Sequence, residues 1–315
     1  MKFKTGALLA AVAAVACALL LFPAQAAQGA KNGVGYSLNI LIPSLYPFMV
    51  LSVFVVRSGL SEKIGGAMRR PTRALFRLPG GTAASLLMSV VGGYPAGARS
   101  AAALYEAGVV SRAEARRMLC FCVSAGPPFV VTAVGVGFLR SAPAGAILLA
   151  SQLAAFFAMG VLCGVFAPRE AAGKPRAKKG GDAGPARAFI ASAADAADAT
   201  LTMCCFVVLF AVLMSLLRLF VKDPVLSAVL SSLLEVTGGC ADLARLGVPL
   251  WVFAFALGWG GLCLLFPQST EAFENIRGPV TGALSGSAPA AAALAALCVA
   301  LVLCAPRAKL EMRGK

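Results

Sequence analysis

Histidine is absent from this 315-residue chain, and charged residues of both signs together make up only 13% of it. The first absence excludes histidine-dependent acid–base catalysis and any mixed cysteine–histidine metal site. The second separates the chain from soluble domains, in which roughly a quarter of residues are charged. Acidic residues are the scarcer kind: 13 Asp and Glu stand against 28 Lys and Arg, a formal net charge of +15. That balance is not the footprint of a nucleic-acid binder, and no nucleic-acid partner is expected. The cations cluster in loops between apolar runs, as positive-inside topology demands.

What the chain has in quantity is apolar residues. They form 59% of it, with a mean hydropathy of +0.85, which points to a polytopic membrane protein with the lipid bilayer as its first partner. Most of the ten cysteines, among them Cys120, Cys122, Cys204 and Cys205, lie in apolar stretches and read as small hydrophobes. No second pair at zinc-site spacing accompanies them, so neither metal nor cofactor is expected.

Met1 to Ala26 joins Lys2 and Lys4 to an apolar run ending in Ala-Gln-Ala, a signal-like pattern that is also long enough to span. It reads as an uncleaved first span. A second span covers about Tyr36 to Val56 and contains Pro43 and Pro47. The basic amphipathic stretch Arg57 to Arg77 follows, with six basic residues against Glu62. "SVVGGYPAGARSAAALYEAGVV" (Ser89 to Val110) then breaks an apolar helix at Gly92 to Pro95. The apolar half before the break has about ten residues, too few to cross a bilayer of roughly 30 Å, so the pair reads as a re-entrant hairpin. "SRAEARRML" opens the next helix with a capping box, Ser111 and Glu114. That helix breaks again at "SAGPPF" (Ser124 to Phe129), and a full span follows from about Pro143 to Phe166.

Pro168 to Arg187 is a Gly/Pro linker with six basic and two acidic residues, expected to be cytoplasmic. Beyond it the order recurs. A span covers Ala199 to Phe220, and a short apolar half, Val225 to Leu234, meets a break at "EVTGGCADL". A second broken span, Trp251 to Thr270, and a final span, Ala288 to Cys304, complete the series. Phe121 to Gly126 and Phe253 to Gly258 share one spacing. The expected segments are 1–34 (N-terminal span), 35–167 (first half), 168–187 (linker), 188–305 (second half) and 306–315 (basic tail). The fold class is all-α polytopic, with about seven membrane spans and two re-entrant hairpins in two related, inverted halves.

Paired helix breaks at matching places in two halves are the best sequence pointer to a transporter's substrate site. Half-helix N-termini offer N–H donors and a positive dipole end to an anion. Arg99 has two readings, charge at the mouth of such a pocket or snorkelling to the interface. Glu235, before a break and without a nearby basic partner in sequence, is a functional candidate as an intramembrane carboxylate, or else simply faces water. Asp195 and Asp198 are explained by interfacial solvation. Gln268, Ser269 and Thr270 could supply neutral hydrogen bonds. No intramembrane serine–histidine or aspartate pair supports catalysis, so no enzyme is expected.

"GGYPAGA" with "SAGPPFVVTAVGVG", then "LLEVTGG" and "GWGGLCLLFPQ", resembles the nucleoside-recognition Gate domain family, and within it the sporulation integral-membrane branch of YlbJ type. The likeness runs from about Gly35 to Cys304, includes "IPSLYPF", and departs from the family at Pro128. It implies paired Gate repeats that move a small solute, dipicolinate in the sporulation branch, across the membrane of a bacterial cell or forespore. On this resemblance the substrate-binding residues are Gly93, Tyr94, Pro95, Gly97 and Arg99, then Ser124, Gly126 and Pro127. Glu235, Thr237 and Gly238 carry the third motif; Gly258, Gly260, Gly261 and Gln268 carry the fourth. The rival expectations are a nucleoside or ion transporter of the same family and a structural membrane component of spore assembly. Homo-oligomerisation stays open.

Overall fold

The computed structural model describes residues 2–122, 124–166, 184–261 and 292–303, and every regular element among them is helical. Helix α1 (Lys2–Leu21) leads into α2 (Pro23–Tyr36), a π-helical segment (Ser37–Leu41) and α3 (Ile42–Arg57). The π segment answers to the prolines. Pro43 cannot donate to the carbonyl four residues back, and just before it the Ile42 N–H bonds Ser37 O, one residue further away. The Ser44 hydroxyl donates to the Ile40 carbonyl nearby, so the altered register leaves little backbone polarity bare to lipid.

The first half continues with α4 (Leu60–Phe76), α5 (Ala83–Gly92), α6 (Tyr94–Glu106), α7 (Arg112–Phe121), a π segment (Pro128–Phe138) and α8 (Ala142–Val165). The second contains α9 (Pro185–Leu217), α10 (Pro224–Leu234), α11 (Val236–Leu246), α12 (Leu250–Trp259) and α13 (Ala292–Leu303). Among the described residues, a helical hairpin followed by an interrupted helix occurs twice, as α5–α6 with α7 and as α10–α11 with α12. The capping box of α7 is formed: Glu114 N–H donates to Ser111 Oγ at 3.3 Å, and the Ser111 N–H to Glu114 Oε2 at 2.7 Å.

The protein is an all-α polytopic membrane protein. Pro23–Arg57, Ala142–Val165 and Pro185–Leu217 are each long and apolar enough to cross a bilayer, and Met68–Phe76 with Gly80–Gly92 would make a fourth span bent by 100°. The other members of the expected seven are shorter helices, broken pairs, or stretches that run outside the described residues. Residues 23–57 form one continuous 35-residue helical path, with "PAQAAQGAKNGVGY" as its first part.

The reason is packing against α9. A Cβ on Gly29 would lie 2.7 Å from Val212 Cα, and one on Gly33 would lie 2.6 Å from Val208 Cα. Two glycines four residues apart form a smooth stripe on which α9 lies backbone to backbone, the usual device where no hydrophobic effect drives helices together in lipid. Nearer the start of α9, Arg57 at the end of α3 ion-pairs with Asp195, both partly exposed. The central cluster joins the halves through Leu45, Phe129, Leu148, Val207, Phe253 and Leu257.

Gly33→Leu should separate α2 from α9 and lower stability by about 1–3 kcal/mol, read as an earlier unfolding midpoint in detergent; Gly35→Leu, which meets open space, should not. Reporter fusions after Lys179 and after Lys315 should fall on opposite sides of the membrane if the halves are inverted. A shared cytoplasmic location would make them parallel.

Candidate functional site

Each hairpin turns through a single residue. Gly93 ends α5 by donating its N–H to Ser89 O at 3.0 Å, and starts α6 by accepting from Gly97 N–H at 3.0 Å. Its φ of +76° and ψ of −156° lie in a region that essentially only glycine occupies. Glu235 stands at the same place in the second hairpin: its N–H donates to Ser231 O at 2.7 Å, and its carbonyl accepts from Gly239 N–H at 3.0 Å.

Each turn touches the break of its own half's broken helix. A Cβ added to Gly126 would lie 2.8 Å from the Gly93 nitrogen and 2.9 Å from Gly93 Cα. In the second half, a Cβ on Gly261 would lie 3.0 Å from the Val236 nitrogen and 3.1 Å from Glu235 Cα. The breaks therefore meet as two backbone-on-backbone pairs, Gly93 with Gly126 and Glu235 with Gly261. All four residues are buried. Gly97 extends the first contact, since any side chain there would collide with the Cys122 carbonyl at the end of α7.

Helix ends inside a membrane need partners for their freed groups. Here aromatic donors supply them across elements. The Tyr94 hydroxyl, 4% exposed, donates to the Leu257 carbonyl just before the α12 break, tying the first pair to the second half. The Trp259 indole N–H donates to Leu233 O at 3.0 Å, at the end of α10. The N-terminus of α11 is capped from within: Glu235 Oε1 accepts from Thr237 N–H at 2.7 Å, and Oε2 from Gly238 N–H. A carboxylate on a helix N-terminus is favourably placed for the dipole. Gly93 offers α6 no such side chain.

The candidate residues divide accordingly. Gly93, Tyr94, Gly97, Ser124 and Gly126 come together with Pro127 in the first pair, and Pro95 occupies the first turn of α6. Glu235, Thr237, Gly238, Gly260 and Gly261 form the second. Gly258 does not belong to a break: it is helical, and its bare face meets Ala295 of α13, which an added Cβ would approach to 2.5 Å of Cα. The chain reverses at Gly260 and Gly261, both at φ +79°, so the shared Phe-to-Gly spacing pairs a break residue with a helical one. Arg99 is drawn elsewhere. It lies about 9 Å further along α6, half-buried, and donates to the Asp195 backbone carbonyl at 3.1 Å, beside the Arg57–Asp195 pair. Asp195 is therefore an ion-pair partner as well as a solvated surface residue. Gln268 lies outside the described residues.

Gln152 was missed by motif reading. It is 1% exposed in the middle of α8, and neither end of its amide has a hydrogen-bond partner among the described residues. A lone amide in "AILLASQLAAFF" was the available signal.

Two helical hairpins, each seated on a glycine at the interruption of a helix, define a class, a polytopic membrane protein with irregular backbone buried between its helices. The chain is similar to the sporulation integral membrane protein YlbJ of Bacillus subtilis (strain 168), 32% identical over 139 residues, or 44% of this chain and 34% of that protein. The matched stretch thus spans about a third of that relative's length. The chain matches no protein-family model and no solved structure.

Tyr94→Phe should cost about 0.6–2 kcal/mol by stranding the Leu257 carbonyl. Comparing its unfolding midpoint in detergent with that of Tyr105→Phe, on the far end of α6, checks this.

Proposed function

We propose that the chain moves a small anionic solute across a bacterial membrane through the meeting point of its broken helices, without covalent chemistry. One observation carries this reading. The contact of Gly93 with Gly126 sets two half-helix N-termini side by side, the start of α6 and the start of Pro128–Phe138. Each contributes partial positive charge, and together they suit a carboxylate. The second pair does not compete for the anion, because Glu235 already holds its own carboxylate on α11. Charge therefore directs an anion to the first half.

Gly93 and Gly126 are buried against each other, so this conformation is closed at that point and passage requires the two breaks to part. Dipicolinate, a small aromatic dianion, is the solute suggested by the resemblance to the sporulation branch, and the name of the Bacillus relative is in keeping with a spore role. Gate-type nucleoside transport would use the same breaks, yet an uncharged nucleoside gains little from paired helix N-termini. A purely structural role in spore assembly would leave the close glycine contacts without a task beyond packing.

Proteoliposomes loaded in parallel with dipicolinate, nucleosides or divalent cations test the reading. Dipicolinate uptake is expected, and Gly93→Leu and Gly126→Leu should abolish it while both variants still insert and accumulate. Uptake at the normal rate by both would refute passage at the breaks. In sporulating cells, a phenotype sensitive to linker deletion and indifferent to these two changes would favour the structural role.

A further inference from the structure

A second feature lies beside Glu235, away from the anion route. A cavity enclosed by α2, α9, α10 and α11 is lined by Asn32, Tyr36, Arg218, Ser231, Glu235 and Asp242, among others. It has room for about two water molecules, too little for an aromatic dianion. At one end Arg218 ion-pairs with Asp242, the side chains 39% and 13% exposed, beside the loop that carries exposed Lys222 and Asp223. At the other end Glu235 is 4% exposed. Glu235 and Asp242 are seven residues apart, two turns on one face of α11, or about 10 Å along the axis. The buried Arg218 Nε has no hydrogen-bond partner among the described residues. An unpaired donor on a polar cavity wall is where an ordered water belongs.

We propose that this cavity is a proton path, and that Glu235 takes up and releases one proton through it from the side of the α9–α10 loop. A proton delivered at the Arg218–Asp242 mouth passes along the waters to a carboxylate oxygen of Glu235. The carboxylate becomes a neutral carboxyl group, and the cap it gives the Thr237 and Gly238 N–H groups loses its charge assistance. Release returns the proton by the same waters and restores the cap. Among the described residues, the charged and titratable groups around Glu235 are Tyr36 from α2, Arg218 from α9, and Cys240, Asp242 and Arg245 from α11; α10 and α12 contain none. Arg218 is committed to Asp242, which leaves Glu235 without an ion pair among the described residues. A metal cation is the poorer occupant, since a guanidinium shares the cavity and both Glu235 oxygens already accept N–H groups. Coupling of this proton to solute movement rests on the proposed transport; the protonation does not.

Infrared difference spectroscopy of the full-length protein in lipid, titrated with acid, tests the site without any solute. Against the background of the other Asp and Glu groups, one protonated-carboxyl band should be missing from the acid-minus-neutral spectrum of Glu235→Gln, return with a moved midpoint in Glu235→Asp, and shift on transfer to heavy water. Ser231→Leu, which fills the cavity and leaves the carboxylate in place, should slow that isotope shift by an order of magnitude or more. A protonated-carboxyl spectrum identical to the wild type's in a folded Glu235→Gln overturns the assignment. A band that does not exchange in heavy water, or exchanges equally fast in Ser231→Leu, overturns the path. Dipicolinate uptake read alongside separates the two ideas. Titration of Glu235 without uptake defeats the transport reading alone, whereas pH-independent uptake that is unchanged in Glu235→Gln defeats the coupling role alone.

Discussion

Everything at the centre of this protein depends on two backbones touching with no side chain between them. Gly93 and Gly126 lie so close that a single added carbon on either would sit within 3 Å of the other's main chain. In water such a contact would be one packing choice among many. In a bilayer it solves a harder problem, because a helix broken at membrane depth exposes amide groups that lipid cannot satisfy. Burying one break against another hides both.

The second half uses the same device with one substitution that changes its chemistry. Where the first hairpin turns on a glycine, the second turns on Glu235, and the break opposite is again a glycine, Gly261. A residue with a side chain can take this position because its backbone is extended, at φ −147° and ψ 123°, whereas Gly93 is held in a conformation closed to other residues. One half therefore presents bare helix N-termini, and the other presents a helix N-terminus already neutralised by a carboxylate. Similar architecture thus yields two electrostatically opposite places a short distance apart, bridged by the Tyr94 hydroxyl on the Leu257 carbonyl.

Closely packed helices surround these places. The α2–α9 contact packs through Gly29 and Gly33, and serines such as Ser85 and Ser89 are buried between α5 and its neighbours, with the Ser89 hydroxyl turned back onto the Ser85 carbonyl. Arg57, Arg99 and Asp195 gather at the end of α3, and Arg218, Asp242 and Arg245 at the end of α9, while the Glu235 carboxylate is buried.

The amino-acid sequence by itself determined the medium, the helices and the interruptions. Apolar composition and scarce charge dictate a membrane protein, and apolar halves too short for a bilayer's width, cut off at glycine-rich breaks, mark both hairpins, because backbone geometry and hydrogen bonding are local matters. The box formed by Ser111 and Glu114 is legible for the same reason. Only the tertiary structure decided which break meets which, that the α2 glycines pack on α9, that Gly258 packs on Ala295 while the chain turns at Gly260 and Gly261, and that Arg99 reaches from α6 to the Asp195 carbonyl of α9. It also decided that Glu235 caps its own helix and shares a cavity with Arg218, seventeen residues earlier in the chain. Each of these rests on surfaces from distant segments coming within a few ångströms, and a spacing along one chain carries no record of what lies across from it.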